Sequence, residues 1–178
     1  MSDTALRTSV TTLPVEFVLP DAAATAETIL AEALAYCAQR LGVAGPEAAL
    51  ALVRQGAGKA CSYYEFGLVR SLSEHLAALD DEVRAVYQFD EDATPEDTIF
   101  GAVAASAIHL IVWARRKTNA LDALVDALDR SLARRTAGPQ RPRLLDVQVV
   151  DDAEVSARVG YAALLTSLHR PALPVWRR

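Results

Sequence analysis

The apolar stretch IHLIVWAR, residues 108–115, is the strongest strand signal in the chain. Apolar side chains alternate onto both of its faces, with Ile108, Leu110 and Val112 on one face and Ile111 and Trp113 on the other. A strand that is apolar on both faces is typical of the interior of a sheet that is covered on both sides. We therefore predict that these residues form a central strand.

Two further strand signals flank this stretch, and helix signals separate the three. Alternating side chains predict strands over residues 83–89 and 144–150. Pro95 at a first helical position and Asn119 as a cap predict helices that begin near residues 96 and 119. Consecutive strand–helix units favour parallel strands with right-handed crossovers. The expected class is α/β, with α+β as the alternative, and a mostly parallel or mixed sheet of three to four strands.

The N-terminal half is rich in helix. Sequence patterns predict a helix that follows a cap at Asp21 and runs to residue 41, a short helix from 46 to about 55, and a longer helix that follows a break at 56–58 and runs to about residue 79. Before them, residues 13–19 alternate and predict an edge strand, because Pro14 cannot donate to a sheet ladder. Residues 1–12 are polar and unpatterned, so we expect a loose segment there. No linker divides the rest, and we expect residues 13–178 to form a single domain.

The C-terminal part is expected to be helical and then extended. Apolar residues at helical spacing predict one last helix after Asp152 that runs through Val155, Val159, Ala162, Leu165 and Leu168. Pro171 ends it, because proline cannot donate a helical hydrogen bond. We predict that the extended tail is ordered and that Trp176 is buried on its own domain or on a second copy of the chain.

Composition limits the function classes. The 178 residues are 52% apolar and carry a formal charge of −5, which is typical of a globular chain and does not favour a nucleic-acid partner. No apolar run is long enough for a membrane span, and the first residues do not resemble a secretory signal. With only two cysteines, we expect a cytoplasmic protein. The 16 Arg, 2 Lys and 34 Ala indicate a GC-rich bacterial genome.

One predicted sheet face combines aromatic and polar side chains. A parallel sheet covered on both faces does not normally carry such residues. Aromatic and arginine side chains are enriched at interface hot spots, so we interpret this face first as an interface, with a ligand platform and simple solvent exposure as the alternatives. The predicted binding residues are Arg84, Gln88, His109, Trp113, Arg115, Asp146 and Gln148.

The acidic stretch after the second strand signal suggests an alternative. Asp90 and Asp92 follow a strand end, and paired carboxylates there are able to bind Mg²⁺ through hard oxygen ligands. The calcium-loop pattern fails, because Pro95 stands where that pattern requires glycine. The interpretation that we favour for this stretch is a solvated loop without a cofactor.

The sequence contains no complete catalytic motif, and no stretch of it resembles the signature of a known family. We therefore expect a non-enzymatic binding or assembly protein that self-associates and that has a small-molecule or protein partner. The alternative is a metal-assisted hydrolase or phosphoryl-transfer enzyme that uses Asp90, Asp92 and His109. The sequence does not decide whether the chain is an enzyme.

Overall fold

A four-stranded mixed sheet forms the centre of the fold, in the order β3-β2-β1-β4. The computed structural model describes residues 21–89, 107–136 and 143–178. Strands β2 and β3 are parallel, whereas β1 is antiparallel to both β2 and β4. The predicted α/β class is therefore confirmed in its mixed form, with β2 in the interior of the sheet. The strands are β1 (Val83–Gln88), β2 (Ile108–Ala114), β3 (Leu145–Val150) and β4 (Leu173–Arg177).

Three sequence predictions lie outside the described residues. They are the loose segment 1–12, the strand over 13–19, and the acidic stretch with the helix expected after it. Within the described residues, the helices of the N-terminal half agree with their predicted positions. The long helices are α1 (Ala22–Leu41), α2 (Pro46–Arg54), α3 (Gly58–Leu79) and α4 (Asn119–Thr136).

The helix ends follow local chemistry. Asp21 caps α1 by accepting hydrogen bonds from the backbone N–H groups of Ala23 and Ala24, both at 3.1 Å. Gly42, with φ of +68°, ends the same helix in the left-handed region. The predicted cap of α4 was wrong by one residue, because the hydroxyl of Thr118, and not Asn119, accepts from the N–H of Leu121 at 3.1 Å.

The larger of two apolar cores lies between helices α1–α4 and one face of the sheet. Leu68, Leu72 and Leu128 from α3 and α4 and Leu110 and Val112 from β2 are almost completely enclosed in it. We refer to this half of the molecule as the helical side. The β2 residues in this core, Ile108, Leu110 and Val112, are those that alternation places on one face, so this part of the prediction is confirmed.

A smaller core covers the opposite face of the sheet. It contains Tyr87, Phe89, Ile111 and Val150, with Ala162 packed against them from the C-terminal segment. We refer to this half as the C-terminal side. The single last helix predicted here was wrong: α5 (Asp152–Ala157) is short, and a separate 3₁₀ helix covers Gly160–Thr166.

A left-handed residue breaks the predicted last helix. Arg158 has φ of 56° and ends α5, and Gly160 two residues later has φ of 54°. A residue whose backbone lies in the left-handed region cannot continue a right-handed helix. The apolar spacing of Val155, Val159 and Ala162 therefore does not correspond to one buried stripe.

The C-terminal tail is the fourth strand of the sheet. Trp176 pairs with Val86 of β1 and, with Val175, packs against the larger core, so the tail lies on its own domain. Trp176 is half-buried, which is less than the burial predicted for it. The guanidinium of Arg178 donates to the backbone oxygens of Ala77 at 2.8 Å and Asp81 at 2.9 Å, and this ties the tail to the end of α3.

Candidate functional site

The candidate site lies on the C-terminal side, where β2 and β3 bring polar residues together. His109 and Asp146 are direct neighbours in the parallel register, and Nδ1 of His109 lies 3.1 Å from Oδ2 of Asp146. Gln148, two residues further along β3, donates from Nε2 to the other carboxylate oxygen of Asp146 at 3.0 Å. The carboxylate therefore fixes the orientation of the imidazole, and the amide fixes the carboxylate.

A second polar group occupies the same face near the other end of β2. The indole N–H of Trp113 donates to Oδ1 of Asp152 at 2.8 Å, and Arg84 pairs with Oδ2 of Asp152 at 3.0 Å. Asp152 was not among the predicted site residues, because it belongs to α5 and no strand pattern includes it. We define the polar sheet face as Arg84, His109, Trp113, Asp146, Gln148 and Asp152.

A bulge brings Arg84 to this face. Val83 pairs with Ala114 and Ala85 pairs with Trp113, so Arg84 is one extra residue on β1. The extra residue changes the alternation of the strand, and Val83 joins the larger core instead of lying on the face of Ala85. Simple alternation had assigned Val83 and Ala85 to the same face.

Two predicted residues do not join the polar sheet face. Gln88 lies on the opposite side of the sheet, where its amide donates to Glu65 of α3 at 2.6 Å. Arg115 lies beyond the end of β2 and is exposed, with its Nε 4.0 Å from Oε2 of Glu82. Placing these two residues on the same face as His109 was therefore wrong. The other five predicted residues lie together.

Asp90 and Asp92, the predicted metal ligands, lie outside the described residues. Phe89, the last described residue before them, is next to His109: its N–H donates to the carbonyl of His109 at 3.1 Å, and the two rings are 5.4 Å apart. In the described ranges, no group of three or more His, Cys, Asp or Glu side chains is arranged to hold a metal ion.

The chain's own C-terminal segment partly covers the polar sheet face. The ring of Tyr161 in the 3₁₀ helix lies 5.7 Å from Phe89, and the side chain of His109 is only 15% exposed. The carboxylate of Asp146 is 39% exposed and is the more accessible member of the pair. The contacts of this pair orient the imidazole and stabilise the sheet.

The sequence did not indicate a second feature, a group of exposed apolar side chains in the C-terminal part of the chain. Val159, Tyr161, Leu168 and Leu173 are large apolar residues that are 40–94% exposed. Across the described residues, only Phe66 and Leu79 join them in that category. We refer to these four residues as the C-terminal apolar segment. The predicted last helix includes Val159 and Leu168, and the break at Arg158 removes that helix.

Comparisons of this chain with protein-family models, with curated proteins and with solved structures found no match. No helix in the described ranges is both long and apolar enough to cross a membrane.

Proposed function

We propose that the protein is a non-enzymatic assembly protein that self-associates through the C-terminal apolar segment. The observation that carries this proposal is the exposure of two aliphatic side chains, Leu168 at 94% and Leu173 at 64%. A single exposed leucine is ordinary on a protein surface. Four large apolar residues are exposed within positions 159–173, and this concentration along the chain supports a surface that another molecule covers.

Symmetry makes a second copy an efficient partner for this segment. In a two-fold interface each residue is buried once in each copy, so every favourable contact occurs twice. Full burial of one leucine contributes roughly 1.5–3 kcal/mol. Leu173 also belongs to β4, which is the outermost strand on its side of the described sheet, and an outer strand presents backbone groups that pair with another strand.

The contacts on the polar sheet face also support a non-enzymatic role. The carboxylate of Asp152 contacts both the indole N–H of Trp113 and the guanidinium of Arg84. The carboxylate of Asp146 contacts both the imidazole of His109 and the amide of Gln148. These polar groups satisfy one another, as expected where they specify the packing of a sheet.

Sedimentation equilibrium tests the proposal. We expect a weight-average mass above the 19.1 kDa of one chain that rises with concentration in the micromolar range. Leu168→Glu and Leu173→Glu are each expected to shift the equilibrium toward the monomer, because a carboxylate would be desolvated in the interface. Phe66→Glu, at an exposed apolar position on α3, is the matched control and should associate like the wild type. A 19.1 kDa monomer at every concentration would contradict the proposal.

A metal-assisted hydrolase or phosphoryl-transfer enzyme is the second candidate function. The observation that favours it is the His109–Asp146 pair directly beside Phe89, one residue before the predicted Mg²⁺ ligands Asp90 and Asp92. Calorimetric titration with Mg²⁺, Mn²⁺ and Ca²⁺ tests it. Heat that saturates at millimolar metal and disappears in Asp90→Asn would support this function, and no heat would overturn it.

We also infer that the protein is cytoplasmic and bacterial. Both cysteines are free thiols: Cys37 donates to the carbonyl of Ala60 at 3.4 Å, and Cys61 donates to that of Val53 at 3.7 Å. Reduced thiols are typical of a reducing compartment. The excess of Arg over Lys supports a bacterial origin. Thiol labelling of the protein in its native cells would test the reduced state.

A further inference from the structure

A cleft of about 180 Å³ lies between α1 and α3, on the helical side and away from the polar sheet face. Both helices contribute to its walls, which are formed by Glu32, Tyr36, Gly67, Arg70, Ser71 and Glu74. Pockets for drug-sized ligands have volumes of about 300–1,000 Å³. This cleft is therefore of a size that suits a small group, such as one side chain or a short amine.

A fixed carboxylate forms one end of the cleft. The hydroxyl of Ser71 donates to Oε2 of Glu32, and Nε2 of His75 lies 3.2 Å from the same oxygen. The hydrogen bond from Ser71 lowers the pKa of Glu32, burial opposes this effect, and His75 adds to the lowering. Both contacts use Oε2, so Oε1 keeps its capacity to accept a hydrogen bond from a ligand.

The ring of Tyr36 forms another part of the cleft wall. The rings of Tyr36 and Phe66 lie 5.5 Å apart, and Phe66 is 48% exposed. Gly67 permits this arrangement, because a Cβ atom there would lie 3.1 Å from both the carbonyl oxygen of Ala33 and Cδ1 of Tyr36. Any larger residue at position 67 would push the ring of Tyr36 or the backbone of α1 away from α3.

The side chains that line the cleft include two carboxylates, Glu32 and Glu74, and one guanidinium, Arg70. Arg70 pairs with Glu74 one turn along α3, with Nε of Arg70 3.0 Å from Oε1 of Glu74. This pair is neutral as a unit, so Glu32 is the carboxylate without a formal positive partner on the cleft wall. A carboxylate near an aromatic ring is a combination that binds guanidinium and ammonium groups, through charge-assisted hydrogen bonds and cation–π contacts.

We propose that the α1–α3 cleft is a binding site for a small organic cation, with Glu32 as the ionic partner and Tyr36 as the aromatic wall. The ligand class is an alkylguanidinium or alkylammonium group, either in a free amine or in an exposed Arg or Lys side chain. The contacts of Ser71, Glu32 and His75 do not form a nucleophile relay, because the carboxylate stands between the hydroxyl and the imidazole.

Titration of the full chain with three probes, followed by NMR of the backbone amides of Gly67 and Ser71, tests this proposal. Agmatine represents a free amine and N-acetyl-arginine amide represents a peptide side chain. N-acetyl-citrulline amide is the neutral control, because a urea replaces its guanidinium. At pH 8, where histidines are ordinarily neutral, we expect saturable shifts with at least one cationic probe and none with the citrulline derivative. Binding of agmatine alone would identify a free amine as the ligand.

Two variants make the result specific to the cleft. Glu32→Gln keeps the shape of the side chain and should weaken binding at least about tenfold, as expected for the loss of a hydrogen bond to a charged group. Glu47→Gln, in the first turn of α2 and outside the cleft, is the matched control and should bind like the wild type. Tyr36→Leu, which removes the aromatic wall but keeps the charge, provides a second test if Glu32→Gln fails to fold.

The proposal would be overturned by either of two results. One is the absence of saturable shifts at Gly67 and Ser71 with both cationic probes. The other is undiminished binding in Glu32→Gln or, where that variant does not fold, in Tyr36→Leu.

Discussion

The helical side and the C-terminal side are stabilised in different ways. On the helical side, long helices enclose side chains such as Leu68, Leu72 and Leu128 almost completely. On the C-terminal side, a six-residue helix and a 3₁₀ helix cover a smaller core, and polar contacts such as Trp113–Asp152 supplement the apolar packing. The same sheet therefore has one face with a continuous apolar core and one face with a mixed surface. Apolar burial therefore stabilises the helical side, whereas the C-terminal side also depends on specific polar contacts.

The largest expected contrast is between one leucine from each side. Leu128→Ala should lower the free energy of unfolding by about 3–4 kcal/mol, because Leu128 is fully buried and its removal leaves a cavity. Leu164→Ala, at a partly buried position of the C-terminal side, should cost only about 1 kcal/mol. Urea unfolding of both variants measures the difference, and equal losses would remove the contrast between the two sides.

A buried carboxylate gives the next largest effect. Asp129 of α4 accepts hydrogen bonds from the N–H groups of Leu144 and Leu145, both at 2.9 Å, and so ties α4 to the start of β3. Asp129→Ala should cost roughly 2–3 kcal/mol, because two buried donors would lose their acceptor. Asp126→Ala, one turn earlier on the exposed face of α4, is the control and should lie within about 0.5 kcal/mol of the wild type.

Removal of the tail tests how much β4 contributes to the stability of the fold. Deletion of residues 171–178 removes the strand that pairs with β1, the half-buried Trp176 and the Arg178 contacts to α3. We expect a loss of about 2 kcal/mol, which for a chain of this length lowers Tm by roughly 4–8 °C. Differential scanning calorimetry measures this shift. An unchanged melting curve would show that the tail does not stabilise the fold.

The smallest expected effect is the pH dependence that Glu32 causes on the helical side. The Ser71 hydrogen bond lowers the pKa of Glu32 below its ordinary value of 4.5 in the folded state. The unfolded chain therefore takes up the proton first, and the stabilisation present above about pH 4.5 is lost as the pH falls through the folded pKa. Glu32→Gln should lose less stability than the wild type between pH 5 and pH 3 in urea unfolding. Identical pH curves would contradict this prediction.

Local periodicity was sufficient to predict the helical side. The spacing of Leu68, Leu72 and Leu76 placed α3, and the two apolar faces of residues 108–115 placed β2 in the interior. In both cases the burial of each side chain follows from its position in one regular element. The mixed direction of the strands is a property of the whole sheet, because it depends on how distant strands pair.

The predicted placement of side chains on the sheet faces agrees with the structure where the strands are regular and fails where they are not. Alternation placed His109 and Asp146 on one face because β2 and β3 pair without irregularity. It misplaced Gln88, because the bulge at Arg84 shifts the alternation of β1. It also missed the Glu32–Ser71 contact, which joins residues 39 positions apart on two helices and has no local signature. The left-handed Arg158 likewise has no sequence signal, since glycine and asparagine are the residues expected there.

The position of β1 between β2 and β4 affects how the chain folds during its synthesis. Gln88 and Leu173 are adjacent in the sheet but about 85 residues apart in the chain. A ribosome adds roughly 5–20 residues per second, so β1 leaves the ribosome roughly 4–17 s before its partner β4 does. Throughout that interval one edge of an apolar strand is open to pairing with another nascent chain. The charge of Arg84 and the acidic Asp80, Asp81 and Glu82 before the strand are the kind of residues that discourage such aggregation.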